Sequence, residues 1–364
     1  MGLACGIVGL PNVGKSTIFN AITAAGAASA NYPFCTIEPN IGVVDVPDER
    51  LEVIHKYITT DRIFPAAVKI VDIAGLVAGA SKGEGLGNKF LGNIKETDAI
   101  LHVVRCFSKG DIIHVSGSVD PQRDMEVIEL ELQLVDLDTV EKALDRAMRK
   151  ARAGDKEAAL HKLALEKAKT MLDRGESLRL ATWTKMEREA LDPLFLITIK
   201  PVLYVANVGD DDLDGQGSLA QVVRAHAKKT GAEVVPLCGD IEGELSGMPK
   251  EDRAAFLGDL GLTEPGLNRL IRKVYDLLGL QSFFTAGKIE IRAWTIHKGD
   301  PAPVAAGVIH TDFEKHFIRA EVYSVEDLVA YGSETAVKAA GKMRVEGRDY
   351  VMREGDIAHF LIGK

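Results

Sequence analysis

The sequence is poor in cysteine. Only four cysteines occur in 364 residues, and none forms a C-x-x-C pair with another: Cys5, Cys35, Cys106 and Cys238. Disulfide scaffolds and structural zinc sites both rely on closely paired cysteines. We therefore expect reduced thiols in a cytoplasmic protein.

The chain also lacks a long apolar run and a basic secretion leader. No stretch approaches the roughly 18 continuous apolar residues of a membrane-spanning helix, and the first residues, MGLACGIVGL, contain no cation. The formal net charge is −9, so the surface as a whole does not attract nucleic acid. We expect a soluble protein with no membrane or DNA partner, in which any RNA contact comes from a local basic patch.

Short apolar runs alternate with helical patterns in the first hundred residues and again after residue 200. The runs lie at 3–8, 41–46, 68–73, 100–105, 202–206 and 233–237. Strands of this kind, separated by helices, predict an α/β fold with a parallel sheet covered on both faces.

Between these two regions the pattern becomes helical. Apolar residues spaced by three and four run through 124–152 and 156–173, with Gly154 and Asp155 between them. This spacing predicts an αα-hairpin, a short antiparallel coiled coil. The apolar stripe is expected to contain Val127, Leu130, Leu134, Leu137, Val140, Leu144, Leu160, Leu163, Ala164 and Leu172.

Cations outnumber carboxylates from 142 to 174. Two interpretations stay open, a solvated helix face or a docking patch for RNA or a partner protein, with Lys162, Lys167 and Lys169 as its cations.

Residues 247–276 then predict a helical linker. The remaining 80 or so residues predict a small α+β domain, with strands within 288–296, 316–323, 348–352 and 356–362 and a helix near 333–341.

Residues 9–16 match the pattern G-x-x-x-x-G-K-[ST] between the first strand and the first helix. In such a P-loop, backbone N–H groups surround the phosphates, Lys15 supplies a fixed cation, and the Ser16 hydroxyl binds Mg²⁺. We expect the nucleotide to contact Asn12, Val13, Gly14, Lys15, Ser16 and Thr17.

A second motif, D-x-x-G, ends the 68–73 strand at Asp72 and Gly75. Its Asp reaches Mg²⁺ through water, and the glycine N–H contacts the γ-phosphate. Thr36, in the intervening loop, is expected to complete the Mg²⁺ ligands together with Ser16 and Asp72.

The loop after 202–206 is where the base should be selected. A guanine-specific loop reads N-K-x-D, but here Val208 replaces the lysine between Asn207 and Asp210. The guanine site is therefore incomplete. Leu237 and Cys238, after the next strand, are expected to supply backbone contacts to the base.

Position 76 is leucine, which cannot orient the attacking water as the glutamine of Ras-like enzymes does. His114, in the loop after 100–105, is the best polar substitute and is our candidate catalytic residue. Asn12 in the phosphate loop can additionally hold K⁺, whose charge would replace an arginine finger.

Several long blocks resemble the YchF-type Obg-like ATPases, a branch of the translation-factor class of P-loop GTPases. The matching blocks are GLPNVGKST at 9–17, NYPFCTIEPN at 31–40, DIAGLVAGASKGEGLGNKFL at 72–91, HVVRCF at 102–107, LGLTEPGLNRLI at 260–271, AGKIEIRAWTIHKG at 286–299 and GVIHTDFEKHFIRAEV at 307–322.

The resemblance implies a Ras-like P-loop domain at 1–121 and 198–280, a coiled-coil insertion at 122–197 and a β-grasp TGS domain at 281–364. It implies slow hydrolysis of ATP in preference to GTP, and a ribosome or ribosomal subunit as partner. Asn207 and Val208 fall where the family contacts adenine. Asp210 stands where the family usually has glutamate, so a weaker binding of GTP stays open as an alternative.

Two other functions compete with an ATP-driven switch. One is a GTPase of the same fold, because Asp210 is the residue that reads guanine. The other is a nucleotide-gated module that binds RNA or protein and in which turnover is incidental. A metabolic kinase is disfavoured, because D-x-x-G with a switch threonine is typical of conformational switches.

Overall fold

The computed structural model describes residues 3–25, 40–73, 86–108 and 117–363. The strands are β1 Ala4–Val8, β2 Ile41–Asp45, β3 Ile63–Phe64, β4 Ala67–Asp72, β5 Ala99–Cys106, β6 Val202–Val208, β7 Glu233–Leu237, β8 Leu280–Ala286, β9 Ile291–His297, β10 Phe317–Ser324, β11 Arg344–Glu346 and β12 Asp356–Ile362. The helices are α1 Lys15–Ala25, α2 Arg50–Tyr57, α3 Leu86–Lys95, α4 Pro121–Arg152, α5 Lys156–Asp173, α6 Lys185–Leu191, α7 Ser218–Thr230, α8 Gly239–Gly247, α9 Lys250–Asp259, α10 Gly266–Leu277, α11 Ala302–Ile309, α12 Thr311–Lys315, α13 Val325–Tyr331 and α14 Glu334–Ala339.

Contacts divide the chain into two units. The first unit comprises Met1–Val43 and Lys69–Leu270, and the second comprises Val44–Val68 and Ile271–Lys364. The sequence assigned residues 44–68 to the nucleotide domain, whereas by contacts they belong with the C-terminal segment.

The first unit contains a sheet with the strand order β2-β4-β1-β5-β6-β7. β1 pairs in parallel with β4 and β5, and β5, β6 and β7 continue the parallel pairing. Every residue of β5 and β6 is buried, as expected for central strands covered on both faces. The predicted parallel α/β sheet is confirmed, and its parallel strands end together at one edge.

The predicted helical hairpin is present as α4 and α5. Its apolar stripe was wrong in part, because four leucines assigned to it are exposed: Leu130, Leu134, Leu160 and Leu163. Besides α5, helix α4 packs on α7 and β5, and Glu129 in its first half bonds His226 of α7. The helix also buries Met125, Ile128 and Leu132, which lie on a different face.

Two carboxylates, the buried Asp136 and the partly buried Glu129, attach α4 to other parts of the first unit. Asp136 accepts hydrogen bonds from the backbone N–H groups of Ile197 and Thr198, at 2.9 and 2.6 Å, and from the Thr198 hydroxyl. Glu129 accepts from the Tyr204 hydroxyl on β6 and from Nε2 of His226 on α7, the latter at 2.8 Å. The base of the hairpin is thus tied to a central strand and to a neighbouring helix.

The second unit contains a mixed sheet with the order β11-β10-β12-β8-β9-β3. Residues 44–68 join it through β3, which pairs in parallel with β9, and through Arg50, whose guanidinium bonds Asp48 and Glu354. The buried apolar cluster of this unit includes Phe283 and Phe317.

The local predictions for this unit were right in part. The helix expected near 333–341 is confirmed as α14, whereas residues 348–352 form no strand, only an isolated bridge at Val351. Helices α11, α12 and α13 were not predicted, although the run APVAAGVI has proline in the first turn, where proline favours a helix. Gly332, with φ 76°, ends α13 before α14 begins.

Among the described residues, no helix combines the length and the apolar character needed to cross a membrane.

Replacing Glu129 with glutamine should destabilise the protein in a pH-dependent way. Burial opposes the charged carboxylate, but the hydrogen bonds from His226 and Tyr204 outweigh it and lower the pKa of Glu129 from 4.5 to about 2. A depressed pKa stabilises the fold fully above the unfolded value and loses that stabilisation as the pH falls from about 4.5 to about 2. Urea unfolding should show Glu129→Gln to be less stable by about 1–3 kcal/mol at pH 7.

The difference between wild type and Glu129→Gln should shrink as the pH falls below about 4.5. Glu126→Gln is the matched control, because Glu126 lies exposed on the same helix and its only hydrogen-bond partner among the described residues is Gln122. A Glu129→Gln deficit that is constant with pH, or an equal deficit in Glu126→Gln, would contradict this assignment.

Candidate functional site

The phosphate loop lies between β1 and α1, where the sequence predicted it. Asn12 and Gly14 have positive φ angles of 60° and 94°, and asparagine and glycine tolerate this region best. A side chain at position 14 would collide with the amide of Asn207. The loop therefore follows a path that only these residue types adopt without strain.

Lys15 is nearly buried at 7% exposure, and its Nζ donates to the carbonyl of Leu10 at 2.7 Å. Burial lowers the pKa of Lys15 to about 8, while the nearby Asp72 carboxylate opposes that shift. Lys15 is thus a nearly buried cation that bonds its own loop. Phosphate oxygens bound there would compensate for the solvation that its ammonium group loses on burial.

Asp72 lies at the end of β4, beside Ile7 of β1. Burial raises the pKa of Asp72, while the charge of Lys15 and a hydrogen bond from the Ser16 hydroxyl lower it. Its buried Oδ1 has no hydrogen-bond partner among the described residues. A carboxylate and a hydroxyl in contact, with one carboxylate oxygen left unsatisfied, fit the oxygen ligands that Mg²⁺ prefers.

Asn207, at the end of β6, connects the two sides of the site. Its Nδ2 donates to the carbonyl of Val13 at 2.8 Å, and its Oδ1 accepts from the N–H of Gly239 at 3.0 Å. The side chain is only 4% exposed. Asn207 was predicted to contact the base, but its amide is occupied by the phosphate loop and by the first residue of α8.

A cavity of about 1250 Å³ opens beside this amide, entirely within the first unit. It is lined by seven of the predicted contacts: Asn12, Gly14, Thr17, Asn207, Val208, Asp210 and Cys238. Val208 is buried, whereas Asp210 is exposed at the rim. Val13, Lys15, Ser16 and Leu237 do not line this cavity, and Leu237 is 1% exposed.

Several lining residues were not predicted from the sequence. Phe107 follows the carboxyl end of β5, and the guanidinium of Arg105 lies 4.6 Å from the centre of its ring. Phe256 and Leu260 line the cavity from further along the chain. An aromatic residue directly after a central strand was the available signal for Phe107, since ligands bind at the carboxyl ends of parallel strands.

Four residues with predicted roles, Thr36, Gly75, Leu76 and His114, lie outside the described residues.

Comparison with known families gives two matches in this chain. Residues 4–142 match the family model MMR_HSR1, described as a 50S ribosome-binding GTPase. Residues 280–363 match the model YchF-GTPase_C, described as a protein of unknown function. The first match contains the phosphate loop and Asp72, in agreement with the P-loop geometry. P-loop nucleotide hydrolases generally use Mg²⁺.

Full-length relatives share about half of their residues with this chain. It is 53% identical over 360 residues to the Ribosome-binding ATPase YchF of Haemophilus influenzae, and 50% identical over 363 residues to that of Bacillus subtilis, with 99% of each chain covered in both cases. The solved structure of the Schizosaccharomyces pombe YchF GTPase is 39% identical, covers 99% of this chain and 98% of its own, and superposes with a TM-score of 0.88. The chain therefore belongs to the YchF family of P-loop nucleoside triphosphatases.

Proposed function

We propose that this protein is a cytoplasmic ATPase that binds Mg²⁺-ATP, hydrolyses it slowly and acts as a conformational switch on the ribosome. The observation that carries the proposal is the phosphate loop with Lys15, Ser16 and Asp72, beside a cavity in which Val208 stands in place of the guanine-reading lysine. Relatives with about half of their residues identical are named ribosome-binding ATPases, which supports the ribosomal partner.

Each part of the phosphate machinery has a role in binding. The Lys15 ammonium would neutralise the β- and γ-phosphate oxygens, and the backbone of residues 12–17 would donate N–H groups to them. Ser16 and Asp72 would hold Mg²⁺, whose charge offsets that of the phosphates. We propose Thr36 as a further Mg²⁺ ligand and the Gly75 N–H as the contact to the γ-phosphate, both from the sequence pattern.

We propose that the cavity selects between adenine and guanine. Val208 is buried and carries no cation to lie over a guanine ring, and Cys238 contributes to the wall. The alternative, a GTPase, is favoured by Asp210, because an aspartate here pairs with the N1 and N2 hydrogens of guanine. We expect ATP to bind more tightly than GTP, and Asp210 to support the residual GTP binding.

The finer family assignment rests on resemblance. We propose that the chain is an Obg-type member with a coiled-coil insertion at 122–197 and a β-grasp TGS domain at 281–364. The nucleotide domain is proposed at 1–121 and 198–280, except for residues 44–68, which pack with the C-terminal unit. The mixed sheet of the second unit and the α4–α5 hairpin support these assignments. The hairpin and the TGS domain are proposed to carry the docking surface, and DNA is not an expected partner.

ATP should compete better than GTP for a fluorescent nucleotide bound to the wild-type protein. Asp210→Ala should weaken GTP binding about tenfold or more, the effect of losing a charged hydrogen-bond acceptor. ATP affinity should change less than twofold, because adenine offers no partner for that carboxylate in the guanine-reading geometry. Calorimetry with Mg²⁺-ATP and with Mg²⁺-GTP measures the two affinities.

Asp211→Ala is the matched control, since Asp211 is also an exposed aspartate of the cavity rim. GTP binding tenfold tighter than ATP binding in the wild type would overturn the ATPase proposal in favour of the GTPase. An equal loss of ATP and GTP affinity in Asp210→Ala would show that Asp210 does not read guanine.

Hydrolysis is proposed to depend on His114 and Asn12. Leu76 cannot orient the attacking water, so a polar group must do so from another segment, and in the sequence His114 is the candidate in the stretch that comes after β5. Asn12 is exposed in the phosphate loop and lines the cavity, which suits a side-chain oxygen ligand for K⁺.

His114→Ala should lower turnover about 100-fold, the range of a positioned acid–base group, with ATP affinity unchanged. In the same steady-state assay, the wild-type rate should be higher in K⁺ than in Na⁺ at matched ionic strength. A loss of less than about threefold in His114→Ala would remove the catalytic role, and equal rates in the two salts would remove K⁺.

A nucleotide-gated binding module with incidental turnover is the remaining alternative. It would be supported if a hydrolysis-dead His114→Ala protein complemented a deletion of the gene as well as the wild type does.

A further inference from the structure

Ion pairing divides the cations of the α4–α5 hairpin into two groups. Lys142, Lys162, Lys167 and Lys169 each have Nζ within 3.1 Å of a carboxylate oxygen. The hairpin tip, defined as residues 146–156, instead carries exposed cations with no carboxylate partner in the described part of the chain: Arg146, Arg149, Lys150, Arg152 and Lys156.

The carboxylates nearest the turn, Asp145, Asp155 and Glu157, form no ion pair with these cations in the described part of the chain. Asp155 is the N-cap of α5, and its carboxylate accepts from the N–H of Ala158 at 3.0 Å. Glu157 lies 81% exposed beside His161, 3.8 Å away. The tip therefore presents five exposed cations to solvent on a chain whose formal net charge is −9.

The stability of the helices accounts for only some of these five cations. Arg149, Lys150 and Arg152 lie in the last turn of α4, where cations favour the negative end of the helix dipole. Arg146 lies before that turn. Lys156 is the first residue of α5, at the positive end of the dipole, where a cation is unfavourable. Arg146 and Lys156 are thus not favoured by the dipole of their own helix, although Arg146 Nε donates to the carbonyl of Lys142 at 3.1 Å.

The tip is also far from the nucleotide site along the helix. α4 has 32 residues and is about 48 Å long at 1.5 Å per residue, so Arg149 lies roughly 30 Å beyond Glu129. Arg146, Arg149 and Arg152 recur every three residues, about 4.5 Å apart along the axis. A row of guanidinium groups at the end of a long rigid arm can reach into a partner's surface.

We propose that the hairpin tip binds the phosphate groups of RNA. The inference rests on the proposed association with the ribosome and names the chemistry of the contact. Arginine presents a planar fork of donors that matches phosphate oxygens, and exposed cations without carboxylate partners need not break an ion pair to bind them. Lys162, Lys167 and Lys169, the docking cations expected from the sequence, are bound to carboxylates instead.

A protein partner would use different residues. Leu160 and Leu163 lie exposed on α5 close to the tip, at 48% and 61%. A protein partner with an acidic surface would pack its apolar groups on these leucines. The affinity for RNA would instead depend on the tip cations and would fall with salt concentration.

The test compares two variants that each lose three positive charges. The tip variant carries Arg149→Gln, Lys150→Gln and Lys156→Gln, and the control carries Lys162→Gln, Lys167→Gln and Lys169→Gln. Binding to a short fluorescein-labelled RNA duplex is measured by anisotropy from about 50 to 200 mM salt. The tip variant should lose about tenfold or more in affinity, and its slope of log K against log salt should be shallower by about 3, close to one for each lost phosphate contact.

The control should stay within about twofold of the wild type in affinity, because its lysines are already paired, and ATP hydrolysis should be unchanged in both variants. Ribosome co-sedimentation of the tip variant should fall in parallel with duplex binding. If the wild type binds ribosomes and hydrolyses ATP but the tip variant keeps its affinity and salt slope, the inference is overturned and the proposed function stands.

Two further outcomes separate the remaining possibilities. If the wild type does not sediment with ribosomes while the tip variant still loses the RNA duplex, the proposed function fails and the tip assignment stands. If Leu160→Ser with Leu163→Ser abolishes ribosome binding and the tip variant does not, the partner at this end is a protein, and the RNA inference is overturned.

Discussion

The amide of Asn207 holds the candidate site together. It joins the phosphate loop at Val13 to the start of α8 at Gly239, and both of its polar atoms are used. Gly14 leaves the space that this amide occupies. Removing the side chain would leave two backbone groups without their partner, at about 1–3 kcal/mol each when buried. The geometry of the candidate site, both where phosphate would bind and where the nucleotide base would bind, therefore depends on one residue at the end of β6.

The same strand also links the site to the hairpin. Tyr204 lies three residues before Asn207 on β6, and its hydroxyl bonds Glu129 on α4. Asp136 adds a second attachment, to the segment that leads into β6. Strand β6 therefore carries both the residue that bonds the phosphate loop and a residue that bonds the first half of α4.

Local signals were sufficient for much of this fold. The phosphate loop, the parallel strands and the turn at Gly154 follow from glycine placement and apolar periodicity, which act over a few residues. Long-range packing decided the rest. Nothing near Leu130 indicates that the first half of α4 packs on α7, and nothing within residues 44–68 indicates that they join the C-terminal unit. Likewise, the pattern N-x-x-D predicts that Asn207 contacts the nucleotide base, but sequence spacing does not reveal that its amide also bonds Val13 and Gly239. Phe107 lines the cavity only because β5 ends beside β6.

Hydrogen–deuterium exchange of the wild-type protein, with and without a non-hydrolysable Mg²⁺-ATP analogue, tests the central claim most directly. If Asn207 makes the phosphate loop and the start of α8 one unit, nucleotide should slow amide exchange in residues 12–18 and 238–242 together. Protection of residues 12–18 with unchanged exchange in 238–242 would contradict the account, since it would mean that the base side does not respond to nucleotide bound at the phosphate loop.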